Sequence, residues 1–182
     1  LSRLLKKPRA YSQADKMFFT FEELPTFGKD YWFFNFTSTD KNSKQQLVLT
    51  VGRASGEVKV NKKTVQEAGK TFQKDCMTVG WYYSNKKVVF ANQVQKTTVK
   101  TSKKCSLSTK AKDFSFNLTG GYPSYDINCK KKQKTFFKAK LTKPKNQPLP
   151  YEFASFFSRA FGFNLVNLYF DVDGTIEGKP FK

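Results

Sequence analysis

No histidine occurs among the 182 residues. The commonest general base and the commonest metal ligand are therefore both missing, and no Ser/His/Asp or Cys/His nucleophile set can be assembled. The groups left to do chemistry are carboxylates, thiols and lysines. Glu22-Glu23 and the pair Asp171/Asp173 are the tight acidic pairs, and neither neighbours another catalytic group in sequence. Cys76, Cys105 and Cys129 are an odd number without a CxxC spacing, which argues against a zinc site or a closed disulfide framework. Three thiols held in strands fit the count, as does one disulfide in an exported chain. These groups predict no catalytic residue, no metal and no cofactor.

Lysine is the abundant functional group. Thirty-three Lys+Arg face 14 Asp+Glu, a formal net charge of +19, and only Arg3, Arg9, Arg53 and Arg159 are arginines. Lysine acts as a diffuse point charge, whereas arginine supplies forked recognition of phosphate. The charge is uneven: Gln95–Lys145 holds fourteen Lys against Asp113 and Asp126. Its densest part contains Lys130, Lys131, Lys132 and Lys134, the candidate anion-binding residues for nucleic acid or an anionic membrane surface. The competing reading is a solvated face, because Lys138 and Lys140 alternate with Phe137 and Ala139 and would share the outer side of a strand.

Phe170-Asp171-Val172-Asp173-Gly174-Thr175 resembles the DxDGT signature of haloacid-dehalogenase-type phosphatases. The resemblance would make Asp171 a nucleophile and Asp173 a general acid/base. That chemistry needs the motif at the end of the first parallel strand of a Rossmann-like domain, and eight residues follow Gly174 here. The same letters also read as a β-hairpin whose Asp173-Gly174 pair supplies the turn. A calcium loop would need further acidic ligands downstream.

The elements that must position these groups are mostly strands. Twenty Phe, eight Tyr and two Trp supply ample apolar surface for a folded core. Residues 1–16 read as a basic N-terminal arm, and 17–182 as a single β domain. Aromatic and β-branched runs begin at Met17 and recur at Tyr31–Thr37, Gln46–Val51, Gly56–Asn61, Met77–Tyr83, Lys87–Ala91, Val94–Thr101, Asp113–Leu118, Lys134–Leu141, Phe163–Val172 and Thr175–Phe181. Turn signals about every eight to twelve residues indicate an all-β sandwich or barrel. One helix is expected near 151–161: Phe153, Phe156, Phe157, Ala160 and Phe161 fall on one helical face, with Pro150 before it and Gly162 after it. It would close the end of a barrel or form a lid. No run of 18 apolar residues exists, so no transmembrane helix is expected. Asn35-Phe36-Thr37 and Asn117-Leu118-Thr119 match the glycosylation pattern, and the chain fits a cytoplasmic or an exported setting alike.

The strand Asp30-Tyr31-Trp32-Phe33-Phe34-Asn35-Phe36 resembles the aromatic opening strand of the lipocalin-like carotenoid hydratase and hydroxyneurosporene synthase family. A polar turn at Asp40–Lys44 and a return strand ending near Arg53 continue the resemblance, as does the strand-turn-strand of Leu168 through Lys179. It implies a calycin-like antiparallel β-barrel or strongly curved sandwich, matching the N-terminal of two such halves, with an interior for a long apolar molecule. No catalytic residue carries over, because Thr37 stands near the family's histidine. Trp32 and Phe34 share one face of a strand, as do Trp81 and Tyr83. With Phe157 and Phe161 they are the candidate lining of a cavity for a hydrophobic or amphipathic small molecule. The alternative is a β module that binds nucleic acid or an anionic surface through its lysine-rich face, with exposed aromatic rings for stacking.

Overall fold

The computed structural model describes residues 13–19, 28–40, 42, 44–55, 57–60, 62–66, 75–102, 106–110, 112–146, 151–157 and 162–181. Among the described residues one short helix, α1 (Gln13–Phe19), precedes fourteen strands: β1 (Lys29–Thr37), β2 (Gln45–Ala54), β3 (Val58–Val60), β4 (Lys63–Gln66), β5 (Asp75–Ser84), β6 (Lys87–Ser102), β7 (Ser106–Lys110), β8 (Phe114–Gly121), β9 (Ser124–Lys131), β10 (Lys134–Thr142), β11 (Tyr151–Phe157), β12 (Gly162–Leu168), β13 (Asp171–Ile176) and β14 (Lys179–Phe181). The chain is all-β and antiparallel, as its turn spacing implies.

Ten of these strands run in the order β1-β2-β5-β6-β7-β8-β9-β10-β13-β14. They fold into two layers because β6 is long enough to serve both. It pairs with β5 from Lys87 to Thr98, and with β7 from Thr98 to Ser102. Thr98 is thus the corner, where one continuous strand leaves the first layer (β1-β2-β5-β6) and enters the second (β7 to β10, β13 and β14). Two register shifts interrupt the β5–β6 ladder before the corner, between Thr78 and Gly80 and between Tyr82 and Tyr83, and add local twist to the first layer. The sequence pattern suggests two separate strands here, Lys87–Ala91 and Val94–Thr101; the backbone joins them.

The layers meet through aromatic rings. Phe34 lies 5.0 Å from Phe116 between centroids, Phe36 lies 4.9 Å from Phe137, and Tyr82 lies 6.2 Å from Phe136 edge-on. Such pairs contribute about 0.5–1.5 kcal/mol each beyond the burial of their area. Leu47, Leu49, Leu107, Leu118 and Ile127 fill the space between them and are fully buried. A bulge between Thr135 and Phe137 turns both Phe136 and Phe137 inward, so β10 gives the core one more ring than strict alternation allows.

α1 closes the interior at one end. Phe18 stacks on Phe34 at 6.0 Å and meets Tyr125 edge-on at 5.1 Å. The Asp15 carboxylate accepts hydrogen bonds from the Tyr122 N–H at 2.9 Å and the Tyr125 hydroxyl at 2.8 Å. A seven-residue helix is not stable alone; these contacts hold it. Residues 13–16, expected in a basic arm, and Met17–Phe19, expected to begin a strand, lie in this helix instead.

Of the barrel and the curved sandwich expected, the chain forms the second: β1 and β14 stand at opposite ends of the strand order, so the sheet is not closed. Two other expectations are corrected. The helix near 151–161 is not formed. Tyr151–Phe157 is strand β11, paired with β12 from Tyr151↔Leu168 to Phe157↔Gly162, and 158–161 lie outside the described residues. The apolar spacing there fits a helical face, but Tyr151, Phe153 and Phe157 also fit a period of two, and a partner strand decides between the periods. Asp173-Gly174 is not a turn either. Gly174 sits within β13 opposite Ala139 and Phe181, and the turn is made by Glu177 and Gly178, with φ of 48° and 79°. A Cβ on Gly174 would stand 2.6 Å from the Lys138 carbonyl oxygen and 2.7 Å from the Ala139 Cβ. The glycine serves close strand approach, not reversal.

Candidate functional site: a lysine-crowned end and an aromatic face

Register and backbone hydrogen bonds gather five turns into two groups, one in each layer. In the first layer the β1–β2 turn lies beside the β5–β6 turn, since Gln45 pairs with Ser84 and the Asn85 N–H donates to the Lys44 carbonyl at 3.1 Å. In the second layer the Lys132 N–H donates to the Asp113 carbonyl at 2.9 Å, joining the β7–β8 and β9–β10 turns. The Glu177 N–H donates to the Phe136 carbonyl at 2.8 Å and adds the β13–β14 turn. Tyr82 and Phe136, each three residues from its turn, meet across the sandwich, which sets the β5–β6 and β9–β10 turns near each other.

These turns carry lysines. Lys44, Lys86 and Lys87 project from the first layer, and Lys110, Lys112, Lys130, Lys132, Lys134 and Lys179 from the second; all are exposed. The carboxylates described among them are Asp40, Asp113 and Glu177. Lys131 and Lys134 stand directly opposite each other across the β9–β10 hairpin, a like-charge pairing that costs stability.

Backbone geometry sharpens the point. The two-residue turns Asn85-Lys86 and Lys132-Gln133 have positive φ at both central positions, 48° and 66° in one, 47° and 71° in the other. The right-handed twist of a hairpin requires this, and asparagine followed by glycine satisfies it best. Lysine at such a position costs about 1–2 kcal/mol, because its Cβ crowds the following carbonyl. Two turns at this end thus hold a lysine where the backbone favours a smaller residue.

Charge is arranged differently on the broad outer face of the second layer. Lys140 stands between Asp126 on β9 and Asp173 on β13 in the ladder, so its field is offset locally. Asp171 and Asp173, the candidate phosphatase pair, are exposed on a strand flanked on both sides by antiparallel neighbours. That is not the loop-facing end of a parallel strand which the phosphatase chemistry uses.

The candidate cavity residues separate. Trp32 and Phe34, 8 % and 7 % exposed, pack within the aromatic core. Trp81 is 37 % exposed and Tyr83 half-buried, both on the outer face of the first layer; the inward residue between them is Tyr82. The Phe157 side chain and all of Phe161 lie outside the described residues. Among the lysines singled out from sequence, Lys130, Lys132 and Lys134 are exposed and Lys131 is half-buried. Cys129 is a free thiol sealed in the core, and burial pushes its pKa far up, so it is not a nucleophile. No group of His, Cys, Asp and Glu suited to a metal is found among the described residues, and no helix among them is long and apolar enough to cross a membrane.

Two features escape sequence reasoning. The first is the contribution of Lys44, Lys86 and Lys87, which lie outside the dense 95–145 stretch and join it only through the fold. The second is the outward half of β1. Tyr31 and Phe33 are 56 % and 59 % exposed, and register places them on the same face as Trp81 and Tyr83: Phe33 faces Thr50, Thr50 faces Val79, and Val48 lies between Asn35 and Trp81. The signal was present in the sequence, since a strand aromatic at four successive positions must show rings on both faces. Comparison with protein-family models, with curated proteins and with solved structures gave no match to this chain.

Proposed function

We propose that this protein is a non-catalytic β-sandwich that binds a phosphate-bearing polyanion at its lysine-crowned end. The supporting observation is the exposed lysines on the grouped turns of both layers, with Lys86 and Lys132 in left-handed backbone on two turns that Tyr82 and Phe136 bring near each other. Point charges on exposed turns suit a flexible run of phosphates, because each phosphate brings condensed counterions that binding releases. The aromatic interior gives less support to a small-molecule cavity: Phe18, Phe34, Phe36, Phe116, Phe137 and Tyr125 pack on one another there.

The test is titration with inorganic polyphosphate across a salt series. The logarithm of affinity should fall linearly with the logarithm of salt, and each of Lys86→Glu, Lys132→Glu and Lys134→Glu should reduce the slope by about one unit. Lys140→Glu, set between two aspartates, serves as the control and should change little. Affinity indifferent to salt, or equal losses at Lys140 and at the turns, would refute the reading.

A further inference from the structure

We infer that the polyanion is a single-stranded nucleic acid, whose bases stack on the outer face of the first layer while its phosphates follow the lysine turns at the end of that layer. This rests on the polyanion reading above and names the partner. Tyr31 and Phe33 on β1 and Trp81 on β5 present exposed rings on one sheet face. Alternate residues of a strand are about 6.6–6.8 Å apart and β1 lies two strand spacings, about 9.5 Å, from β5, so the rings are spread over the face around Val48, itself buried between Asn35 and Trp81. Lys44, Lys86 and Lys87 rise from the turns at the end of these same strands. Aromatic rings beside a basic track are the combination that holds unpaired bases without regard to sequence, because every base has a π-face.

Two other occupants fit this face less well. A second copy of the chain would bring a net charge of +19 against another +19. A membrane would have to bury the polar groups among the rings: the Gln46 side-chain amide donates to the Asn35 side-chain oxygen at 3.1 Å on this face, between Phe33 and Thr37 along β1, and hydrocarbon penalises such groups. For a nucleic acid the same amides are assets, since they can meet base edges.

Fluorescence anisotropy with a labelled oligothymidylate tests the inference, with inorganic polyphosphate, a DNA duplex of equal length and phosphatidylcholine–phosphatidylserine vesicles as the other probes. The oligothymidylate should bind more tightly than the duplex and quench tryptophan emission. Phe33→Ala and Tyr31→Ala remove rings that are more than half exposed, so the fold should survive, as an unchanged urea midpoint would show. Each should weaken oligothymidylate binding about tenfold and leave polyphosphate binding intact. Unchanged oligothymidylate affinity in both variants, with polyphosphate still bound, would overturn the base platform and leave the lysine end standing. Stronger retention by vesicles, lost in the same variants, would overturn it in favour of a lipid surface. Failure to bind any of the anionic probes would remove both readings.

Discussion

The turn Asn85-Lys86 offers a perturbation whose effects on stability and on binding have opposite signs. Lys86 has φ of 66° and follows an asparagine at 48°, so Lys86→Gly creates the Asn-Gly pair that a two-residue hairpin turn prefers. Relieving the left-handed lysine gains about 1–2 kcal/mol; the extra chain entropy of glycine in the unfolded state takes back about 0.5–1 kcal/mol. A net stabilisation of about 0.5–1 kcal/mol should remain. With a urea slope of about 2–3 kcal/mol per molar, the midpoint should rise by about 0.3 M at unchanged slope. The same substitution removes one charge from the crown, so polyphosphate affinity should drop and its salt slope shrink by about one unit. Gln133→Gly separates the two effects. Gln133 has φ of 71° and no charge, so this variant should gain similar stability with binding untouched. If neither glycine raises the midpoint, the left-handed turn geometry is wrong. If Lys86→Gly stabilises the fold and binds polyphosphate as before, the lysine is not held there for an anion.

Two further predictions concern the core of the second layer. Gly174→Ala places a methyl group 2.6 Å from the Lys138 carbonyl oxygen and 2.7 Å from the Ala139 Cβ, and should lower stability by about 1–3 kcal/mol as β10 and β13 separate, measured by urea unfolding. Cys129 has its pKa raised by burial, so the native thiol stays protonated while the unfolded one ionises above about pH 8.5. The unfolded state then binds fewer protons, and stability should fall as pH rises past that point, by up to about 1.4 kcal/mol per unit. A Cys129→Ala variant should lack this portion of the alkaline slope, and equal slopes in the two proteins would refute it.

Sequence made the antiparallel strands legible wherever one face is buried and the other wet. Along β10 the sequence alternation already sent Lys138 and Lys140 outward and Ala139 and Leu141 inward, and the structure agrees. It failed where two local rules agree with the same letters. Tyr151–Phe157 satisfies periods of both 3.6 and two, and the ladder to β12 chooses the second. Asp-Gly at 173–174 and Glu-Gly at 177–178 both permit positive φ; the second pair makes the turn because Gly174 lies where β10 approaches too closely for a side chain. The corner at Thr98 left no mark at all, since a strand passing from one layer to the other looks like any other strand. The candidate site suffers from the same blindness. Lys130, Lys132 and Lys134 announce themselves as a run, whereas Lys44, Lys86 and Lys87 join them only because Tyr82 meets Phe136 and Phe36 meets Phe137 across the sandwich.

The charge and the exposed rings also account for each other. β1 stands at one end of the strand order and shows Tyr31 and Phe33 to solvent. An aromatic strand in that place is a template for edge-to-edge pairing between copies, and such a patch ordinarily drives association. A field of +19 opposes it, because two copies must approach through mutual repulsion. On the proposed reading the lysines would act twice: they would keep the aromatic face free of its own kind, and they would attract a partner that brings both negative charge and flat rings. Neither role is open to an apolar ligand held inside the sandwich, where the charge would be remote from the contact. That the rings are outside and the lysines stand at the end of the same strands is what moves the functional reading from the interior of this protein to its surface.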